Sequence, residues 1–184
     1  MRRKSRSTAK KATTVRLEDD MNTEALFARI AATVALTLVA ATAIAQAPQR
    51  LPYGTAITLE TAKKVAAGAA AEATKNKWTA AIAIVDNHGF LVYYEMFDDT
   101  QTASANFAVE KARTSAMFRR TSKELEDTIT SGRVAVLGFP GSTPIEGGLP
   151  IAVGGKIIGA IGVSGMTAAQ DGQIAKAGLD ALSK

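Results

Sequence analysis

The sequence predicts an α+β domain in which an antiparallel sheet of about five strands is flanked by helices. Two hairpin signals support this: Gly154-Gly155 separates two apolar runs, and residues 86–89 separate two others. The predicted elements follow the order α-β-β-α-α-β-β-β-α, which lacks the strand–helix–strand alternation of a parallel sheet. With 184 residues, 47% of them hydrophobic, the chain is long enough for one ordinary domain with a sizeable core.

The charge distribution argues against nucleic-acid binding. Residues 1–45 hold 8 of the 22 Lys and Arg and 4 of the 17 Asp and Glu, so the remaining 14 and 13 nearly cancel in residues 46–184. The chain has no cysteine, which excludes disulfides, thiolate metal sites and cysteine nucleophiles. A single histidine, His88, excludes a multi-histidine metal site within one chain.

The first 45 residues are predicted to be a leader. Residues 1–20 are polar, and they are not translated at all if Met21 is the true start. Residues 21–45 have the pattern of a secretory signal, with an apolar run and a small-x-small site that ends at Ala45. The alternative is an uncleaved membrane helix, but the run is short for a span of about 20 residues. Cleavage predicts a periplasmic or secreted protein without a stable membrane anchor, with residues 46–57 as a tail and 58–184 as the single domain.

The first half of the domain is predicted to be a helix followed by a hairpin. Thr58 is suited to cap a helix over residues 59–75, whose apolar stripe is mostly alanine. Strands are expected over residues 80–85 and 90–97. Simple alternation in the second strand places Val92 with Tyr94 on one face and Tyr93 on the other.

Two further helices and a short strand are expected next. The second helix runs from Thr102 or Ser104 to about Phe118, with alanines buried and Lys111 on its other face. Thr121 and Glu124 form a capping-box pattern that starts a third helix. Residues 134–137 are predicted to be a short strand.

The central hairpin has glycines inside its second strand. Gly159 and Gly162 lie in a run that is apolar or small on both faces, so a helix, a second subunit or a flat ligand is expected close to its backbone. A last helix is expected from Thr167 or Gln170 to about Leu182.

Five spaced motifs follow one another in the domain: Ile84-Val85-Asp86-x-x-Gly89, Lys111-Ala112-Arg113-Thr114, Phe118-x-Arg120-Thr121, Pro144-x-Glu146-Gly147-Gly148-Leu149-Pro150-Ile151 and the run from Ile158 to Gly165, followed by Asp171. In this order they resemble the GlcG/HbpS family, which includes the C-terminal domain of PduO-type proteins. The resemblance covers residues 57–182.

The resemblance implies a profilin-like fold and a homo-oligomer. Some family members bind haem, and others are linked to corrinoid or glycolate metabolism. For an exported chain, the resemblance favours non-covalent binding of haem or a related tetrapyrrole, with cobalamin as the alternative cofactor.

Several residues are candidates for contact with such a ligand. Arg120 and the helix start at Thr121 suit the propionates, because guanidinium and backbone N–H groups bind carboxylates. Phe118 offers an apolar wall. His88 is a possible iron ligand, although its place in a hairpin turn is equally explained by turn chemistry.

Four more candidates lie in the other motifs. Glu146 and Gly148 lie on a loop next to the glycine-rich strand, Glu146 could pair with Lys111 or Arg120, and Ser164 precedes the last helix. Two alternative functions stay open: a small-molecule enzyme with Glu146 as acid or base, and an accessory or sensor protein linked to corrinoids. The axial ligand to the iron is left open.

Overall fold

The computed structural model describes residues 49–183, and the predicted leader lies outside this range. Within these residues the fold is α+β, as predicted, with four α-helices packed on one antiparallel sheet of four strands rather than about five. The elements are α1 (Leu59–Asn76), β1 (Ala81–Asp86), β2 (Leu91–Met96), α2 (Ser104–Phe118), α3 (Ser122–Thr130), β3 (Gly148–Val153), β4 (Lys156–Ser164) and α4 (Ala168–Asp180).

The sheet has the order β2-β1-β4-β3, with β4 in the centre paired to both β1 and β3. The prediction of a strand over residues 134–137 is wrong, because Val134–Gly138 forms a 3-10 helix. Only Val136 of this segment is buried. The segment therefore has no buried face with the period of two that a strand would need.

Helices cover both faces of the sheet with different packing. On one face α1 and α4 enclose a core that includes Ile82, Ile84 and Ile161. On the other face α2 packs through alanines such as Ala108 and Ala112. The first core holds most of the large branched side chains, whereas α2 contributes mainly alanines to the second.

The closest approach to β4 is made by a helix. A Cβ at Gly162 would overlap Ala108 O and would lie 2.5 Å from Ala112 N. Of the three expectations for this strand, the nearby helix is therefore the one observed. Glycine in β4 lets the α2 backbone contact the sheet directly.

The local signals at turns and helix starts are confirmed. Gly154 and Gly155 have φ angles of 58° and 72°, as a two-residue turn requires. Thr58 caps α1, and capping boxes start α3 (Thr121 with Glu124) and α4 (Thr167 with Gln170).

The simple alternation predicted for β2 is wrong. The pairing of β1 with β2 shifts between Ile84 and Val85, so Val85 faces Leu91. As a result, Val92 and Tyr93 both pack against the α1 and α4 core. A bulge of this kind changes which side chains share a face.

Residues 52–57, assigned to a short tail from the sequence, run alongside β4. Ile157 N donates to Pro52 O at 2.9 Å, and Gly54 N donates to Ile157 O at 2.8 Å. The Tyr53 hydroxyl lies 2.9 Å from Ala116 O and 3.0 Å from Met117 O, where α2 ends. Within residues 49–183, no helix has the length and apolar character of a membrane span.

Candidate functional site

The structure distributes the eight candidate residues among two clefts and the surface outside them. Ile145 lines one cleft and Glu146 the other, so the segment before β3 separates the small cleft from the large cleft. Thr121, Glu146 and Gly148 line the large cleft, Lys111 and Ser164 line the small cleft, and His88, Phe118 and Arg120 line neither.

The large cleft has a volume of about 360 Å³ and lies between α3, the start of β3 and α4. Two leucines and the backbone of three glycines give it apolar walls, and two lysines and one glutamate supply charge. Its lining residues are Thr121, Lys123, Glu146, Gly147, Gly148, Leu149, Gly172, Lys176 and Leu179.

The first turns of α3 hold the glutamate–glycine loop in place. Gly148 N donates to Ser122 Oγ at 2.8 Å, and Glu146 N donates to Glu126 Oε2 at 2.8 Å. Gly147 has a φ of 126°, which L side chains rarely adopt. The capped helix α3 and the positive φ at Gly147 therefore fix the backbone position of Glu146.

The lysines of the large cleft are exposed and pair within their own helices. Lys123 Nζ lies 2.8 Å from Asp127 Oδ1 and 4.0 Å from Glu146 Oε2. Lys176 Nζ lies 2.7 Å from Asp180 Oδ2. The hydrogen bond to Asp127 is the main reason that the pKa of Lys123 is raised. Because exposed pairs contribute little to stability, an anionic ligand can compete for both ammonium groups.

Arg120 lies next to the large cleft, in a group of three arginines. Arg50 pairs with Glu124 at 2.8 Å, whereas Arg120 forms no ion pair with a carboxylate of residues 49–183. Partial burial, followed by the charges of Arg50 and Arg133, lowers the pKa of Arg120. An anion bound here would reduce the repulsion among these cations.

Neither Phe118 nor His88 lines the large cleft. The Phe118 ring stacks on Phe139, with centroids 5.8 Å apart. His88 is exposed in the turn that follows β1. The last residue of β1, Asp86, pairs with Gly159 of β4, whereas Gly148 of the large cleft pairs with Gly162, farther along β4. Within one chain His88 therefore lies near the opposite end of the sheet from the large cleft.

The small cleft has a volume of about 180 Å³ and a buried ion pair on its wall. Lys111 Nζ lies 2.9 Å from Asp171 Oδ2 and donates to Val163 O at 3.1 Å. Both charged side chains are only 3% exposed. The small cleft is lined by Gln101, Phe107, Lys111, Ile145, Ser164, Met166, Ala168 and Asp171.

The prediction that Lys111 lies on the outer face of its helix is wrong. Lys111 is buried because Asp171, which lies 60 residues later on α4, provides the opposite charge. Its predicted pairing with Glu146 is not observed, since Lys123 is the lysine near that carboxylate.

Burial is also the main influence on Asp171. Removal from water raises the pKa of its carboxyl, against the opposing effect of Lys111 and of hydrogen bonds from backbone N–H groups. One of these bonds, from Met166 N to Asp171 Oδ1, is 3.0 Å long. The carboxylate thus links α2 to the turn between β4 and α4.

Several cleft residues were missed by the sequence analysis. Lys123 and Lys176 each precede an aspartate by four residues and have the pattern of a solvated helix face. Leu149 and Leu179 have the pattern of ordinary core positions. The available local signal was the pair of capping boxes, because they mark where α3 and α4 begin, and both helices line the large cleft.

The arrangement suits binding of an apolar ligand that carries negative charge. Within the described part of the chain, no group of three or more His, Cys, Asp or Glu residues could hold a free metal ion. The large cleft combines apolar walls with cations at its edge, and the small cleft adds a buried proton donor and acceptor.

Comparisons with known proteins give a consistent result. The sequence model of a family described as "Haem degrading protein HbpS-like" matches residues 57–180. Protein GlcG of Escherichia coli K12 is 42% identical over 108 residues, which span 59% of this chain and 81% of GlcG.

Two solved structures have a similar fold. A double mutant of Streptomyces reticuli HbpS superposes with a TM-score of 0.66 at 28% identity, covering 76% of this chain and 95% of that one. A PduOC:heme complex superposes with a TM-score of 0.63 at 24% identity, covering 69% and 95% of the two chains, which supports the shared fold alone.

Proposed function

Since this chain belongs to the HbpS-like family, we propose that it binds haem or a related tetrapyrrole without covalent attachment, in the large cleft. The observation that supports this site is the convergence of Thr121, Glu146 and Gly148. Thr121 at the start of α3 meets the loop that carries Glu146 and Gly148, and these residues line one cleft together with Leu149 and Leu179. A tetrapyrrole needs both the apolar surface and the charged edge that this cleft provides.

The residues of the large cleft fit haem in their chemistry. Leu149, Leu179 and the side-chain-free backbone at Gly147 and Gly148 suit a flat apolar ring. Lys123 and Lys176 suit the propionates, and Arg120 lies beside the same edge. None of the lining residues is His, Met or Tyr, so Glu146 and Thr121 would be the residues that offer side-chain oxygen atoms to iron from within one chain.

In this proposal the chain binds, orients and shields its ligand. Lys123 and Lys176 would exchange their aspartate partners for the propionates, which would orient the ring. Leu149 and Leu179 would exclude water from the ring, and the Glu146 carboxylate would supply negative charge to offset that of a bound metal. Bound haem would supply visible absorbance and redox chemistry.

We also propose that the mature chain is exported and forms a homo-oligomer. Export rests on the signal pattern that ends at Ala45 and oligomerisation on the family resemblance. Expression of the full chain in a Gram-negative host should yield a periplasmic protein whose mass corresponds to a start at Gln46. A cytoplasmic protein that retains residues 21–45 would contradict export.

An absorbance titration with haemin tests the ligand and its site. The wild type is expected to show a saturable Soret shift, and Glu146→Gln or the double variant of Lys123→Ala and Lys176→Ala to weaken binding by about tenfold or more. Lys156→Ala is the matched control, because Lys156 is exposed at the start of β4 and lies outside both clefts.

The variants His88→Ala and Arg120→Ala separate the remaining candidates. We expect His88→Ala to bind like the wild type and Arg120→Ala to bind more weakly, because only Arg120 lies beside the large cleft. The absence of a Soret shift in the wild type would refute haem binding, and a shift lost only in His88→Ala would move the site to the β1–β2 turn.

A further inference from the structure

We propose that the small cleft is a second binding site, for a short-chain monocarboxylic acid that enters together with one proton. This site goes beyond the tetrapyrrole cleft and does not depend on it. Lys111 and Ser164 would contact the carboxyl group, and Phe107, Ile145 and Met166 would contact the aliphatic chain.

The buried ion pair is the first observation behind this proposal. A fully desolvated lysine–aspartate pair is weak evidence for stability, because desolvation offsets much of the attraction between the charges. Lys111 Nζ has three N–H groups, and two of them have partners here, Asp171 Oδ2 and Val163 O. Since Lys111 lines the cleft, its third N–H group can serve a ligand.

Ser164 provides a second polar group on the same wall. It is only 5% exposed, yet its Oγ lies 3.4 Å from Ser104 Oγ, well beyond the usual distance of about 2.7–2.8 Å for hydroxyl hydrogen bonds. A buried hydroxyl with so long a contact is poorly satisfied. A carboxyl oxygen between Lys111 and Ser164 would satisfy both groups.

The mouth of the small cleft is apolar. Phe107, Ile145 and Met166 are 42%, 39% and 37% exposed, which is unusual for side chains of this size grouped around one opening. Pockets for drug-sized ligands measure about 300–1,000 Å³, and this cleft of about 180 Å³ is smaller. The expected ligand therefore has few heavy atoms, with one polar end and a short apolar chain.

The charges of the site explain the accompanying proton. A bound carboxylate next to Lys111 would lie close to the Asp171 carboxylate, and two carboxylates that share one cation favour retention of a proton. Two acidic side chains of neighbouring elements contact α4: Glu146, whose carboxylate lies against Gly172, and Glu72 of α1, which accepts a hydrogen bond from Gln173. Each has a lysine nearby, Lys123 at 4.0 Å from Glu146 and Lys75 at 3.5 Å from Glu72, so the proton uptake is expected at the Asp171 pair itself. Burial, which raises the pKa of Asp171, acts in the same direction.

Titration calorimetry of the protein purified after expression of the full chain tests this site. Butyrate is the probe, and butanol is the uncharged comparison. We expect saturable binding of butyrate with uptake of about one proton, measured near neutral pH in two buffers of different ionisation enthalpy. Butanol should bind at least about tenfold more weakly, because it cannot form the charged hydrogen bond to Lys111.

Four variants locate the site. Lys111→Met should weaken butyrate binding by about tenfold or more. Asp171→Asn should bind butyrate without proton uptake, since its amide is already neutral. Ala168→Trp should fill the cleft and abolish binding, whereas Ala169→Trp on the same helix lies outside it and should not. Haemin titration of Ala168→Trp is expected to match the wild type.

Three outcomes would overturn the proposal. The first is no binding of butyrate by the wild type, and the second is binding that survives Ala168→Trp. The third is a wild type that does not bind butyrate, together with an oligomer mass that differs from the wild type in Ala168→Trp but not in Ala169→Trp. This would mean that the apolar mouth is covered by a second copy of the chain.

Discussion

The buried pair of Lys111 and Asp171 is held by groups from three elements. Lys111 lies on α2, Asp171 on α4, and Val163 O on β4 accepts from the ammonium. Met166 N donates to the other carboxylate oxygen of Asp171. Loss of either charge would therefore leave the other buried without a counter-ion.

Lys111→Met tests this at the level of one residue. We expect it to lower the free energy of unfolding by about 3–5 kcal/mol, because the Asp171 carboxylate would stay buried and uncompensated. Adding Asp171→Asn should recover most of the loss, since the amide is neutral and still accepts from Met166 N. Urea denaturation of the two variants measures both effects, and a double variant no more stable than Lys111→Met would contradict this account.

The raised pKa of Asp171 predicts how stability depends on pH. An unfolded aspartate titrates near about pH 3.9. Because burial raises the pKa of native Asp171, the folded chain binds more protons than the unfolded chain between these two values. The contribution of Asp171 to the free energy of unfolding is therefore present below about pH 3.9 and lost as the pH rises through the native pKa.

Urea denaturation across this pH range, in the wild type and Asp171→Asn, measures the effect. We expect the decline with rising pH to be shallower in Asp171→Asn. Asp180→Asn is the matched control, because Asp180 is exposed and pairs only with Lys176 on its own helix. Equal pH dependence in the wild type and Asp171→Asn would show that Asp171 does not contribute.

At this scale, prediction from sequence succeeded where the partners are close in the chain. The hydroxyl of Thr121 accepts from Glu124 N three residues later, and the pattern of residue types alone indicates this. Lys111 and Asp171 are 60 residues apart. A helical pattern places every lysine on the solvent side unless a distant counter-charge is known, so the small cleft could not be predicted.

At the scale of elements, contact between α2 and β4 depends on Gly162. A Cβ there would overlap Ala108 O and crowd Ala112 N, and both are backbone atoms that cannot rotate away. We expect Gly162→Ala to lower the free energy of unfolding by about 1–3 kcal/mol, the usual cost of overpacking. Gly138→Ala is the control, since a Cβ there meets nothing within 4 Å and should change stability by less than about 0.5 kcal/mol.

Urea denaturation of the two alanine variants provides the comparison. Equal stability of Gly162→Ala and the wild type would mean that α2 can move away from the sheet at little cost. The contact between α2 and β4 would then be easily deformed, and it would not determine the position of Lys111.

The helices and hairpins were predictable because their signals are local. Caps, apolar stripes and Gly154-Gly155 each act over a few residues. The segment Val134–Gly138 was mistaken for a strand because a short apolar run does not by itself distinguish a strand from a turn of helix. The bulge between Ile84 and Val85 depends on the partner strand, so alternation within β2 could not reveal it.

At the scale of the whole molecule, one face of β2 stands outside the helical layers. α2 packs mainly against β4, β1 and β3. Pairing with Ala81, Ala83 and Val85 places Met96, Tyr94 and Leu91 on the α2 side of the sheet. These three side chains are 36%, 36% and 50% exposed. An exposed apolar strip on an edge strand is suited to contact with another subunit.

Leu91→Asp tests whether this strip joins subunits in the proposed homo-oligomer. We expect light scattering to show a lower mass than for the wild type, because a buried charge at an interface is costly. Val153→Asp is the matched control, since Val153 has a similar exposure of 52% but lies next to the β3–β4 turn. The same mass in Leu91→Asp and the wild type would place the interface elsewhere.

The contrast between the two faces of the sheet has a consequence for how this family can diverge. On the α1 and α4 side, Ile, Leu and Val can replace one another with compensating changes nearby. On the α2 side, Ala108, Ala112 and Gly162 bring backbone against backbone, so larger side chains are excluded at these positions. We therefore expect related sequences to vary widely at core positions on the α1 and α4 side and to keep nearly the same residues on the α2 side. Lys111 lies on this more constrained side.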